Sequence, residues 1–207
     1  MKKVILFDLD GVLVDTTKIQ IDATIEALSN DKYIIDNNIN IKTKNDILNI
    51  INRTITTYDK LNMIKDKFYS EIDIDSIYDN KKIIANKLFT QFKIDHDKVK
   101  LFEYLKNKNI KIGIVTNSNK ESATILLKQI GVYDMIDLLL ANNDFINKKP
   151  HSEPYIRAML YFKENLEDYL ILEDSDDGIT SAKNTGCDYI RVEDYKDVNI
   201  ELLSSMV

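Results

Sequence analysis

Two rhythms of apolar residues run along this chain, and the change from one to the other divides it. Val4, Ile5, Leu6 and Phe7 form an unbroken apolar run. A short run without alternation reads as a strand buried on both faces, as in a parallel sheet. Helical spacing follows. Thr16 to Leu28 carries Ile19, Ala23, Ile25, Ala27 and Leu28, which suits a helix. Asn30 to Asn40 reads as polar and irregular. Asn45 to Ile51, Leu61 to Ile72 and Ile77 to Phe92 are three further helical patterns; in the second, Leu61, Ile64, Phe68 and Tyr69 follow three- and four-residue spacing. Nothing here alternates like a strand, and neither Gly nor Pro occurs between Val12 and Ile112. Residues 16–92 are therefore expected to form a small helical domain.

From Asp97 the chain alternates between helix and strand. Val99 to Lys106 is helical, and Ile110 to Val115 is a strand. Thr116, Asn117 and Ser118 follow as helix caps, with Glu121 at capping-box distance from Ser118. The helix through Ile125, Leu126, Leu127 and Ile130 closes at Gly131. Leu138 to Ala141 is the next strand, Pro154 to Phe162 a helix with Pro near its first turn, and Tyr169 to Leu172 another strand. A helix over Gly178 to Asn184, a strand over Tyr189 to Val192 and a helical turn over Ile200 to Leu203 complete the chain. Alternating strands and helices imply a parallel sheet with right-handed crossovers. The expected fold is α/β, a three-layer core of residues 1–15 and 93–207 with the helical segment inserted.

Composition narrows the partners. The 207 residues, 44% hydrophobic and 30% charged, suit a soluble globular protein. A formal net charge of −6 argues against broad nucleic-acid binding, which needs a basic face. An anionic substrate would then require local positive charge. Cys187 is the only cysteine, so an intramolecular disulfide is impossible and a reducing, cytoplasmic setting is expected. His96 and His151 are too few and too far apart for a histidine-based metal site. No apolar run approaches the ~20 residues of a membrane span, and the N-terminus enters a strand at once, leaving no room for a signal peptide.

The chemistry gathers at strand ends. Asp8 and Asp10 follow the first strand, on the same side of an extended chain, and Gly11 lets the backbone turn. Thr116, Asn117 and Ser118 follow the second strand, Lys148 and Lys149 the third, Glu173 and Asp174 the fourth. Ligands of open parallel sheets bind beyond the carboxyl ends of the strands, so four separate segments are expected to converge. Asp8, Asp10 and Asp174 are hard oxygen donors suited to Mg²⁺. Thr116 and the N–H groups after it suit a phosphate, and Lys149 supplies a cation for phosphoryl transfer. Taken singly, each has an ordinary reading: Thr116 and Ser118 as caps, Lys149 as a solvated loop lysine, Asp176 and Asp177 as acids favoured by a helix dipole. Taken together they describe aspartyl-phosphate chemistry.

DLDGV at 8–12, TNS at 116–118, KP at 149–150 and EDSDDG at 173–178 resemble, in order and spacing, the four motifs of the haloacid dehalogenase-like hydrolase superfamily. KPHSEPY at 149–155 is similar to its branch containing β-phosphoglucomutase and phosphoglycolate phosphatase, which carries a Rossmann-like core and a helical cap inserted after the first motif. The resemblance implies a cap over residues 16–92, with Gly11 to Asp15 as the crossing from core to cap. It implies Asp8 as nucleophile, Asp10 as general acid–base, and Lys149 bridging phosphate and Asp8. Thr116, Asn117, Lys149 and Gly11 are the implied phosphate-binding residues. Asp8, Asp10, Asp174 and Glu173 are the implied Mg²⁺ residues. The second Asp of the first motif sets the chain apart from the superfamily's dehalogenases. Gln20 aligns with a cap His of β-phosphoglucomutase, so hydrolysis is preferred to phosphosugar mutation. A phosphorylated switch, as in receiver domains, is the reading from another class; such domains lack a cap and place their acceptor Asp on a middle strand. The expected partner is a small phosphorylated metabolite, with no nucleic acid and no membrane, and the protein is expected to be a monomer.

Overall fold

The structure, a computed structural model, describes residues 1–53 and 56–207. Its sheet is built outward from β1 (Val4–Phe7), all four residues of which are buried. On one side lie β2 (Lys111–Val115) and then β3 (Leu138–Leu140); on the other lie β4 (Tyr169–Glu173) and then β5 (Asp188–Arg191). All pairings are parallel. Val4 sits opposite Lys111 and Tyr169, and Phe7 opposite Ile114 and Leu172. A central parallel strand is covered on both faces, which is why β1 has no polar alternation. β4 runs one residue beyond the expected strand because Glu173 pairs with Arg191 of β5. The apolar runs thus place β1 to β4 much as the sequence predicts, whereas β5 lies one residue before the expected Tyr189 to Val192, with Asp188 opposite Leu170.

Residues 17–89 form one compact unit. It contains α1 (Thr17–Ser29), α2 (Lys32–Asp36), α3 (Asn45–Ile51), α4 (Thr57–Lys67) and α5 (Ile74–Phe89), with no strand among its described residues. α1 and α5 pack against each other. The core is aliphatic, with Leu28, Ile34, Ile41, Ile47, Ile51, Leu61, Ile64 and Ile77 buried; each such side chain is worth about 1.5–3 kcal/mol relative to exposure. Three readings from the sequence need correction. α5 starts and ends three residues before the expected Ile77 to Phe92. The segment 30–40 is not irregular throughout: Asp31 caps α2 by accepting from Tyr33 N (3.0 Å) and Ile34 N (3.4 Å), and its other oxygen accepts from Asp73 N (3.3 Å). α4 begins and ends earlier than its apolar spacing indicates, because Thr56 caps it through Asp59 N (3.1 Å) and the helical backbone is lost at Phe68.

Residues 1–16 and 90–207 form the second unit. Its helices are α6 (His96–Asn107), α7 (Lys120–Gln129), α8 (Glu153–Phe162), α9 (Asp176–Lys183) and α10 (Ile200–Leu203). Val4 and Leu6 of β1 pack with Tyr155, Ala158 and Phe162 of α8 and Ala182 of α9. Alternation in a strand sends Phe7 to the opposite face, where its ring stacks on Phe102 of α6 at 5.4 Å. Helices on both faces of a parallel sheet make the α/β, Rossmann-like architecture. No helix among the described residues is long and apolar enough to cross a membrane.

Candidate active site

The site begins where β1 stops. Asp8 N donates to Leu172 O at 3.0 Å, which carries the ladder one residue past Phe7 and fixes the Asp8 backbone. Three residues on, Gly11 adopts φ +86°, and a Cβ there would lie 2.1 Å from Asp174 Oδ2. Only glycine meets both demands without strain. Gly11 therefore stands against the carboxylate of Asp174, at the head of a turn closed by Gly11 N donating to Val14 O (2.8 Å).

Lys149 reaches this strand end from the loop before α8. It is buried, and its ammonium lies 2.6 Å from Asp8 Oδ1, 2.6 Å from Val115 O and 2.6 Å from Glu173 Oε1. Three acceptors thus take the three protons of one ammonium. The reading of Lys149 in isolation as solvated is corrected: two carboxylates and a carbonyl offset its burial. Asn117 sets the backbone of Lys149 from the end of β2, its side-chain oxygen accepting from Lys149 N and its side-chain nitrogen donating to Lys149 O, each at 3.2 Å. Burial opposes the charge on Lys149, but Asp8 and Glu173 outweigh it and raise the pKa above the ordinary lysine value. Lys148, by contrast, is exposed.

Three carboxylates gather here, two of them on Lys149. Asp8, Glu173 and Asp174 each present an oxygen within 4.8 Å of the others. Burial pushes the Asp8 carboxyl well above the usual carboxylate range, with Glu173 and Asp10 adding to the effect and Lys149 opposing it. Burial, then the neighbouring Glu173, raises Asp174 to about 6. Glu173 is almost fully enclosed, at 1% exposure. Its Oε1 accepts from Tyr155 Oη (2.5 Å) besides pairing with Lys149, whereas its buried Oε2 has no hydrogen-bond partner. Clustered hard oxygens, excess negative charge and one orphaned buried oxygen fit a small divalent cation of the Mg²⁺ type.

Asp10 lies outside that group. Its Oδ2 accepts from Ser118 Oγ at 2.7 Å, and its Oδ1 accepts a short hydrogen bond from Thr16 Oγ1. The two carboxylates of the first motif therefore occupy different surroundings: Asp8 beside an ammonium, Asp10 between two hydroxyls. Ser118 is not the helix cap that its spacing from Glu121 predicts. The cap is Asn119, accepting from Ser122 N at 2.9 Å, and α7 opens only at Lys120. The N–H groups directly after Thr116 belong to a loop, in which the buried Thr116 hydroxyl accepts from Ser118 N (3.0 Å). Asp176 and Asp177 do open α9, and Asp176 is ion-paired with Arg191.

Two participants escape sequence reasoning. Thr16 reads as the start of a helix. Tyr155 reads as core, since its spacing to Ala158 and Phe162 marks one buried helix face; only the fold shows its hydroxyl on Glu173 and its ring 4.9 Å from Lys149 Nζ.

Fold and cluster define a class: α/β proteins with clustered carboxylates at the carboxyl ends of central parallel strands beside a buried lysine. The family model described as haloacid dehalogenase-like hydrolase matches residues 5–192, and the chain belongs to that family. It is 26% identical over 190 residues to a phosphoglycolate phosphatase of Aquifex aeolicus (strain VF5), covering 89% of this chain and 81% of that one. It is 26% identical over 194 residues to pyrophosphatase PpaX of Bacillus cereus (strain Q1), covering 88% and 79%. The crystal structure of β-phosphoglucomutase from Clostridium difficile shares the fold, with a TM-score of 0.74 at 20% identity over 99% of this chain and 96% of that one.

Proposed function

We propose that this phosphatase of the haloacid dehalogenase-like family is a Mg²⁺-dependent phosphomonoester hydrolase that works through an aspartyl phosphate on Asp8. The observation that carries the reading is the pairing of Asp8 with Lys149 while Asp10 is held apart by Thr16 and Ser118. Asp8, Glu173, Asp174 and the main chain of Asp10 are the proposed Mg²⁺ residues; the bound cation would neutralise charge on Asp8 and the phosphoryl group. In the first half-reaction an Asp8 oxygen forms a bond to phosphorus as the ester P–O bond breaks, and Asp10 gives its proton to the leaving oxygen. In the second, Asp10 takes a proton from water, the water oxygen bonds to phosphorus, and the Asp8–phosphorus bond breaks. General acid–base help of this kind contributes about 10²- to 10⁴-fold. Lys149 offsets the negative charge of Asp8 and phosphate throughout. Thr116, Asn117 and Gly11 complete the proposed phosphate contacts.

Hydrolysis is preferred to mutation because of Gln20. Its Oε1 accepts a short hydrogen bond from Lys81 within the helical unit, and an amide cannot exchange a proton with a sugar hydroxyl as an imidazole does. The helical unit takes the place of the family's inserted cap in this reading. The proposed substrate is a small phosphorylated metabolite such as a sugar phosphate, and the protein is proposed to act as a cytoplasmic monomer.

The test is phosphate release from sugar phosphates, 2-phosphoglycolate and pyrophosphate, with and without Mg²⁺ and with Asp8→Asn as control. We expect Mg²⁺-dependent turnover in the wild type and none in the variant. Turnover by Asp8→Asn, or a full rate under chelation, overturns the reading. A single phosphorylation without turnover would mark a switch.

A further inference from the structure

Tyr155 is enclosed at the base of the carboxylate cluster, at 0% exposure. Pro154 stands in the first turn of α8, and Tyr155 follows it on the helix face that meets Val4, Leu6 and Ile171. A phenylalanine would fill that apolar space equally well. The hydroxyl adds something the ring alone does not. It lies 2.5 Å from Glu173 Oε1, the oxygen already paired with Lys149 at 2.6 Å. Oε1 is thus saturated by two donors, while Oε2 of the same carboxylate is buried and unpartnered. A free carboxylate would rotate about its Cγ–Cδ bond. Here the Tyr155 hydroxyl and the Lys149 ammonium on one oxygen hold its plane.

We propose that Tyr155 is a positioning residue that fixes the plane of the Glu173 carboxylate, tying down one oxygen so that the group is held ready for a divalent cation. The proposal rests on the reading of Asp8, Glu173 and Asp174 as the Mg²⁺ group. Its effect is on cation affinity: Tyr155 touches neither cation nor substrate but fixes the ligand that does. Partners of this outer kind are worth about 10- to 100-fold in metal affinity.

The experiment is a Mg²⁺ titration of the full chain without substrate, followed by calorimetry and by the rise in melting temperature, for wild type, Tyr155→Phe, Glu173→Gln and the double variant. Tyr155→Phe keeps the ring and removes only the hydroxyl. The expected result is a Mg²⁺ dissociation constant about tenfold or more weaker in Tyr155→Phe. The same change in the Glu173→Gln background should have little further effect, because the two residues act as one unit. A Tyr155→Phe protein that melts earlier but binds Mg²⁺ as the wild type does overturns the proposal and leaves Tyr155 as core. An undiminished effect in the Glu173→Gln background also overturns it, since Tyr155 would not be acting through Glu173. A wild-type protein that takes up no Mg²⁺ fails differently: the metal reading falls, and the proposal with it.

Discussion

Gly178 offers a test in which two ordinary rules give opposite signs. It lies in the first turn of α9, after the Ser175 cap, whose hydroxyl accepts from Gly178 N at 3.1 Å. By helix propensity alone, Gly178→Ala should stabilise the protein by about 0.5–1 kcal/mol. The structure predicts the reverse. A Cβ at Gly178 would lie 1.9 Å from Glu173 Oε2 and 2.1 Å from Glu173 Cδ. The end of a flexible side chain could step aside, but this carboxylate is enclosed and held at Oε1 by Tyr155 and Lys149. Moving it lengthens the 2.6 Å contact with Lys149 and the hydrogen bond to Tyr155, or shifts α9 off the sheet. Overpacking of this kind costs about 1–3 kcal/mol, which exceeds the propensity gain. The net expectation is a loss of about 1–2 kcal/mol, with a midpoint lowered by about 2–4 °C per kcal/mol, together with weaker Mg²⁺ binding. Urea unfolding and a Mg²⁺ titration of the purified variant read both. A Gly178→Ala protein more stable than wild type, with unchanged Mg²⁺ affinity, would refute the placement of Glu173 against α9.

Two further outcomes can be checked by stability and rate. Asp174 is raised to about 6 in the folded protein against an ordinary value near 3.9, so folding favours its protonated form; the stability this gives is full below about pH 4 and lost as pH rises through 6. Without Mg²⁺, the stability of wild type minus that of Asp174→Asn should therefore fall by roughly 1 kcal/mol between pH 4 and 7, after allowing for solvent screening of a half-buried group; a flat or rising difference in urea melts contradicts the assignment. Lys149→Met should lose about 3–5 kcal/mol, because it leaves buried carboxylates without their cation, and should also lose most phosphate release; normal turnover in a folded variant would make the lysine merely structural.

How much of this was legible depends on what each feature rests upon. β1, β2 and β4 are visible in the sequence because a strand buried on both faces must be continuously apolar. The strand-end clusters are visible because a parallel sheet sends its carboxyl ends to one edge. α2 is not visible: its five residues are too few for a periodic stripe, and Asp31 holds them through a capping bond and a reach to Asp73. The start of α7 is misplaced because Ser118, Asn119 and Thr116 are all good caps, and the choice is made by Asp10, which takes the Ser118 hydroxyl. The burial of Lys149 and the hydroxyl of Tyr155 are set by partners more than a dozen residues away, and no local pattern records them.

The register of β1 has a consequence for how the protein comes into being. Val4 to Phe7 is synthesised before either of its two neighbours, residues 111–114 and 169–172. The residues that bear on Asp8 lie as far along the chain as Glu173. Closing such contacts is slow, since a long loop must be ordered before they reward it. β1 therefore leaves the ribosome with a buried-type apolar sequence and neither sheet partner, and stays so until β2 and β4 have emerged. The helical unit, residues 17–89, has its own core and can form in the interval. A chain cut short after β3 would keep that unit but lose Lys149, Glu173 and Asp174 together, so the carboxylate cluster cannot exist until β4 has been made.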